Sequence, residues 1–174
     1  MKTIDIIVIV AAVIFVAGAG VFIYTTFGSG TLVLKMKDRP TEWGSVEAVY
    51  ITFSDIMIHR ADAGNESGWF TTGVSGANLG LLGMVNVSKV IGQTSSQAGL
   101  YNVVRFEVTK AIVTFDGVNY TCIVESGKLN VPIAMGGVRI SAGQTSSIEI
   151  DIHVRITGRV GDFKLTPAAR AAPA

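Results

Sequence analysis

The chain has 174 residues, a formal net charge of +1, and a composition that is 49% hydrophobic and only 16% charged. A net charge this close to zero provides no field that would attract nucleic acid, so we expect no nucleic-acid partner. The single cysteine, Cys122, excludes an internal disulfide, and the fold must therefore depend on its core. Once the apolar N-terminal segment is set aside, the remaining length suits one domain.

The first predicted element is an apolar helix at the N-terminus. Ile6 to Tyr24 carries no charge. At about 1.5 Å per residue, a helix of this stretch would be roughly 28 Å long, close to the thickness of a hydrocarbon core. Residues 1–27 are therefore predicted to form a hydrophobic helix, retained as a membrane anchor or packed in the core of a filament. Cleavage as a signal peptide near the small residues 17–19 is the alternative.

Small residues in the second half of this helix favour close helix–helix packing, because they let two backbones approach each other. They are Ala17, Gly18, Ala19 and Gly20. An acidic residue at position 5, ahead of a long apolar helix and a β-domain, is similar to the layout of mature type IV pilins and archaellins. The resemblance implies self-association through the helix, although Lys2-Thr3 matches the processing site of that family poorly.

A flexible joint at residues 28–30 is predicted to lead into a β-domain over residues 31–167. The segment "TLVLKM" follows the joint; it could join a neighbouring chain as an edge strand, but pairing within its own domain is favoured. In "SVEAVYITFSDIMIH" the apolar face changes parity near Ser54-Asp55, which predicts a β-bulge or bend. The region 76–97 is predicted to be either a strand pair or a loop with one helical turn.

The later strands show the clearest alternation of apolar and polar residues. Gly99 is expected to supply a turn before a long strand in which Val104 and Phe106 share one face and Tyr101 and Arg105 the other. In "SSIEIDIHVRITG" the alternation is strict, which is typical of an antiparallel sheet with one dry face. The closing residues 168–174, small and unpatterned, are predicted to be a loose tail.

These elements predict an all-β domain preceded by one N-terminal hydrophobic α-helix. Several short strands separated by Gly, Ser and Asn turns indicate an antiparallel two-sheet sandwich of the immunoglobulin-like kind. Trp69 and Tyr101 are expected to close the ends of its core, since each combines a large apolar ring with one polar atom.

Several motifs in this region resemble a domain of unknown function found in archaeal and bacterial surface proteins. The resemblance covers most of residues 30–168. It implies a prealbumin-type or carbohydrate-binding-like β-sandwich outside the cytoplasm, often behind one apolar segment, and it transfers no catalytic residue. The motifs that carry it are Asp38 with Pro40, Trp69, Leu79-Gly80-Leu81-Leu82, Ala98-Gly99-Leu100-Tyr101, "GKLNVPI" and "FKLTPAA".

No pattern of catalytic, cofactor-binding or metal-ligating residues emerges. His59, His153 and Cys122 are the only nitrogen and sulfur candidates for a metal, and they fall on three separate predicted strands without paired spacing. No serine lies in a nucleophile elbow, and no glycine-rich loop opens a helix. The acidic and amide residues near one turn lack the ligand spacing of a calcium loop. They are Asp55, Asp62, Asn65 and Glu66.

Three triplets fit the acceptor pattern for N-glycosylation, with Asn65, Asn86 and Asn119 as acceptors. Together with the apolar helix and the β-domain, they predict a non-enzymatic protein of the cell surface or cell membrane. We expect either a structural subunit of an extracellular filament or envelope assembly, or a single-span anchored module that binds a glycan, a protein or a larger membrane complex.

Overall fold

A computed structural model describes residues 13–22, 28–38, 45–64 and 67–174. Residues 13–22 are helical, and the rest of the described chain is mostly β-strand, which confirms the prediction of a β-rich domain behind a helix. A 3₁₀ turn covers Leu82–Met84. The strands are β1 Ser29–Asp38, β2 Val46–Phe53, β3 Met57–Arg60, β4 Trp69–Thr71, β5 Gly76–Gly80, β6 Lys89–Gln97, β7 Gly99–Phe115, β8 Val118–Val124, β9 Lys128–Pro132, β10 Val138–Ile140, β11 Thr145–Arg159 and β12 Asp162–Pro173.

The twelve strands are hydrogen-bonded into a single curled sheet that forms a half-barrel. Its main order is β4-β3-β7-β8-β12-β11-β1-β6, while β2, β5, β9 and β10 pair off this path. Most pairs are antiparallel, as predicted, but β1 runs parallel to β11 and β12 parallel to β8. The β8–β12 pairing joins what would otherwise be two separate layers, so a two-sheet, immunoglobulin-like sandwich is not confirmed.

One hydrophobic core fills the inside of the curl. On β11 the apolar residues of the predicted alternation are buried from Ile148 to Val154, with Ile156 half-buried, so the dry face predicted there is confirmed. From the other side, Phe53 and Phe106 meet edge to face with ring centroids 6.1 Å apart. The strand β1 lies between β6 and β11, so "TLVLKM" pairs within its own domain, as favoured.

The predicted bend near Ser54-Asp55 is confirmed. β2 ends at Phe53 and β3 begins at Met57, and both pair with β7 across a register shift. The core-facing positions consequently change parity, with Phe53 and Ile56 both buried. The Ser54 hydroxyl oxygen accepts the Glu107 N–H at 2.8 Å, which holds the bend against β7.

The strand face predicted for Tyr101 was wrong, because the strand pattern does not reveal a bulge. A register shift between His59 and Arg60 leaves Asn102 as an extra residue in β7. Tyr101 therefore joins the core with 0% exposure, and its hydroxyl donates to the Gln97 carbonyl at 2.9 Å. Gly99 is paired with Ile140 in regular extended structure and has no left-handed φ, so it does not supply the predicted turn.

Both segments predicted to be loose belong to the sheet. Ser29 and Gly30 of the predicted joint are the first residues of β1. At the other end β12 continues to Pro173 and pairs with β11, and Ala171 is buried. Backbone pairing and burial override the weak strand propensity of an Ala- and Pro-rich segment.

The region 76–97 contains strands and one helical turn, but not the strand pair that was one of its two predicted alternatives. Two strands, β5 and β6, flank the 3₁₀ turn Leu82–Met84. They do not pair with each other: β5 pairs with β2, and β6 pairs with β1.

Candidate functional site

The helical residues 13–22 present an apolar surface. Its large side chains are 62–77% exposed, and a Cβ added at Gly18 or Gly20 would meet nothing within 4 Å in the described part of the chain. Of the residues predicted to pack against other helices, Ala17, Gly18 and Gly20 are exposed and Ala19 is half-buried. The exposed large side chains are Val13, Ile14, Phe15, Val16, Val21 and Phe22.

The predicted helix over residues 1–27 extends beyond what the structure describes, since residues 1–12 and 23–27 lie outside the described part. Within the described part, no helix has both the length and the apolar character needed to cross a membrane.

Two of the three predicted glycosylation acceptors lie at the surface. Asn86 is exposed after the 3₁₀ turn, with a left-handed φ of 55°. Asn119 is exposed on β8, where its Oδ1 accepts the Thr114 hydroxyl at 2.8 Å. Asn65 lies outside the described residues.

The candidate metal ligands are not brought together. His59 is buried on β3 and hydrogen-bonded through Nε2 to the Gly64 carbonyl at 3.0 Å, His153 is exposed on β11, and Cys122 is buried on β8. Among the residues that the structure describes, no group of three His, Cys, Asp or Glu side chains could hold a metal ion.

Cys122 is predicted to be unreactive in the folded protein. Burial raises the pKa of its thiol from the usual 9.0 to about 11. At pH 8 we expect alkylation by iodoacetamide to be far slower in the native protein than after denaturation, because only the thiolate is a nucleophile. The folded state also retains the proton at higher pH than the unfolded state, so this group lowers stability as pH rises from about 9 to about 11. Equal alkylation rates before and after denaturation would contradict this assignment.

A polar groove crosses the outer face of four neighbouring strands. β4 pairs with β3, β3 with β7, and β7 with β9. The register places Met57, Arg105 and Asn130 in one row across the strands, with His59 and Trp69 in the next. Because side chains alternate along a strand, these residues point away from the core.

Two concavities of about 370 Å³ each meet at Arg105 and Asn130. Volumes of this size fall within the range of about 300–1,000 Å³ that is usual for ligand sites. One concavity extends along Asp55, Glu107 and Lys128, and the other along Trp69 and Asn102. The two together are called the Arg105 groove below.

Arg105 is held in one orientation by its neighbours. Its Nε donates to Asn130 Oδ1 at 2.6 Å, and its Cζ lies 3.7 Å from the centroid of the Trp69 ring. Trp69 in turn packs on the ring of His59, with centroids 4.8 Å apart. A stacked guanidinium of this kind gains a cation–π attraction and loses little freedom when it binds a ligand.

The groove contains two basic and two acidic side chains, which form no ion pairs with one another in the part of the chain that the structure describes. Arg105 and Lys128 are basic, and Asp55 and Glu107 are acidic. Although Glu107 and Lys128 are opposite each other on β7 and β9, no ion pair among the described residues includes any of these four side chains. The groove therefore offers both positive and negative groups to a ligand.

Two acceptor oxygens in the walls of the groove also lack partners. Asp55 Oδ1 and Asn102 Oδ1 are buried atoms without a hydrogen-bond partner in the described part of the chain. A buried acceptor left unpaired costs about 1–3 kcal/mol. Each therefore favours a ligand that brings a hydrogen-bond donor.

Sequence reasoning missed this groove. It placed Arg105 correctly on the outer face of its strand, but it assigned Trp69 to the end of the core, whereas Trp69 is half-buried on the outer surface beneath Arg105. The outward alternation of Arg105 and Glu107 was the only local signal. The groove is assembled by the pairing of β7 with both β3 and β9, and this pairing joins segments that are distant in the sequence.

The molecule is thus a mostly-β domain with a polar outer groove, behind an apolar helical segment. It belongs to the family described as a domain of unknown function, DUF4382, whose model matches residues 29–167. The resemblance of the motifs to a domain of unknown function is confirmed; the prealbumin-like fold that it implies and the separate resemblance to pilins are not confirmed. No curated protein and no solved structure matches the chain.

Proposed function

We propose that this chain is a non-enzymatic structural protein of the cell surface. In this proposal the helix and the β-domain form one subunit of an extracellular filament or envelope assembly, as the pilin-like layout implies. The observation that carries the proposal is the apolar surface of residues 13–22, which the described part of the β-domain leaves exposed.

The exposed helix is unfavourable in water. Full burial of a Val, Ile or Phe side chain contributes about 1.5–3 kcal/mol, and most of the stability of a helix in a protein comes from packing of its apolar face. Copies of the chain are suited to cover it, because Gly18 and Gly20 allow close approach of a second backbone. The β-domain then lies outside the cytoplasm, where Asn65, Asn86 and Asn119 are proposed sites of glycosylation.

Substitution of Gly18 by Leu is expected to abolish assembly without unfolding the β-domain. The added side chain keeps the helix apolar but separates the packed backbones. Electron microscopy of the native envelope fraction would show fibres for the original chain and few or none for Gly18→Leu. Val16→Leu, which changes an already bulky exposed position, is the matched control and should still assemble. If the original chain forms no assembly and remains a single membrane-bound copy, the filament proposal is wrong.

A second function is favoured by the Arg105 groove. In it, the helix serves as a single-span membrane anchor and the β-domain binds a glycan or a surface protein, in the manner of a carbohydrate-binding-like domain. The oriented guanidinium and the unpaired charges support this proposal, since a purely structural surface has no need of them. A chain that remains unassembled in the membrane and loses ligand binding on substitution of Arg105 would favour this second function.

A further inference from the structure

We infer that the Arg105 groove binds an acidic sugar, a polyhydroxylated ring carrying one carboxylate, as in the uronic acids. This inference rests on the binding-module function and specifies its ligand. It is argued from three features of the groove: the geometry of the guanidinium, the unpaired acceptors and the balance of charge.

The guanidinium is oriented for a planar anion. Arg105 uses Nε for Asn130, and its Nη groups make no hydrogen bond within the described residues. Two parallel N–H groups match the two oxygens of a carboxylate, and such charge-assisted pairs are stronger than neutral hydrogen bonds. The stacking on Trp69 fixes the plane in which the carboxylate must lie.

The unpaired acceptors select for hydroxyl groups. Asp55 lines one concavity and Asn102 the other, each with a buried Oδ1 that lacks a partner among the described residues, and Arg105 lines both. A ligand that satisfies all three must accept hydrogen bonds at its centre and donate them on both sides. A sugar carboxylate flanked by ring hydroxyls has this arrangement, whereas a simple organic acid lacks the donors.

The charge balance argues against a more highly charged anion. The groove holds two basic side chains, Arg105 and Lys128, against the acidic Asp55 and Glu107. A phosphate dianion would gain from the basic pair but would be repelled by both carboxylates. A monoanion bound at Arg105, with its hydroxyls directed at the acidic groups, avoids this repulsion.

Trp69 acts here as a positioning residue. The Arg105 guanidinium covers its ring at 3.7 Å, so the face that a neutral sugar would stack on is occupied. The groove is consequently expected to bind poorly those sugars whose affinity depends on stacking against an open aromatic face. This distinguishes an acidic ligand from a neutral one.

The test uses the full chain in mild detergent and isothermal titration calorimetry. The probes are the methyl glycoside of galacturonate, a monoanion, and its methyl ester, which keeps the ring and hydroxyls but removes the negative charge. We expect the free acid to bind about tenfold to a hundredfold more tightly than the ester, the range given by a hydrogen bond to a charged group. Inorganic phosphate should bind more weakly than the free acid.

Arg105→Gln should reduce the affinity for the galacturonate glycoside at least about tenfold, for the same reason. Arg155→Gln, an exposed arginine on β11, is the matched control and should change the affinity less than about twofold. Asp55→Ala should also weaken binding, while Asp55→Asn, which keeps the acceptor, should retain most of it. Circular dichroism of each variant verifies that it is folded.

The outcomes separate this inference from the function on which it rests. Equal affinity for the acid and the ester, with sensitivity to Arg105→Gln, would overturn the acidic-sugar assignment but retain the binding module. Binding that is unaffected by Arg105→Gln would overturn the assignment of the groove. Failure of the folded chain to bind either sugar would overturn the acidic-sugar inference and count against the glycan-binding function.

Discussion

Removal of residues 168–174 is expected to destabilise the β-domain by about 3–5 kcal/mol, although this segment has the composition of a loose tail. The truncation deletes six residue pairs between β12 and β11, from Ile148↔Pro173 to His153↔Ala168. Each backbone hydrogen bond contributes about 0.5–1.5 kcal/mol of net stability. The truncation also removes Ala171, which is buried in the core. Urea unfolding of the full and truncated chains, followed by circular dichroism, measures the difference.

Two point variants test a core-facing and a solvent-facing position of residues 168–174 separately. Ala171→Asp places a charge at a buried position and should cost several kcal/mol, while Ala168→Asp lies at an exposed position and should change stability by less than about 0.5 kcal/mol. Equal stability of the full and truncated chains would mean that β12 ends before Ala168 in solution.

Gly30→Ala is expected to lower the free energy of unfolding by about 2–3 kcal/mol, a large cost for one methyl group. A Cβ at this position would lie 2.3 Å from the Ser141 carbonyl oxygen and 2.8 Å from that of Gln144. Both atoms belong to backbone. Relief of the clash would also disturb the bond from the Thr31 N–H to the Gln144 carbonyl, which is 2.8 Å long. Chemical denaturation of the purified variant measures the loss.

Gly99→Ala is the matched control for this substitution. It also lies at the start of a strand, but the three atoms nearest to its added Cβ all belong to the Arg60 side chain, at 3.5 Å or more, and its φ is not left-handed. We expect a change within about 0.5 kcal/mol. If Gly30→Ala is tolerated equally well, Gly30 lies in a movable joint and the start of β1 is not packed against the Ser141–Gln144 turn.

The periodicity of the sequence was sufficient to identify the strands with one dry face. The strict alternation from Ile148 to Val154 and the parity change near Ser54 both predicted features that the structure contains. These signals are local, because the side chains of a strand alternate between two faces whatever the strand pairs with. The same locality explains the error at Tyr101. One bulged residue, Asn102, reverses which face of the strand is buried, and no local pattern of residues indicates the bulge.

The sequence by itself determined the class of the fold, the apolar N-terminal segment and the membership of a domain family. Only the tertiary structure decided that the strands close into one curled sheet, that residues 168–173 complete β12, and that Trp69 supports Arg105 on the outer face. The physical reason is that these features depend on backbone pairing between segments far apart in the chain. A pattern of side chains shows which face of a strand is buried, but it does not show which strand lies beside it.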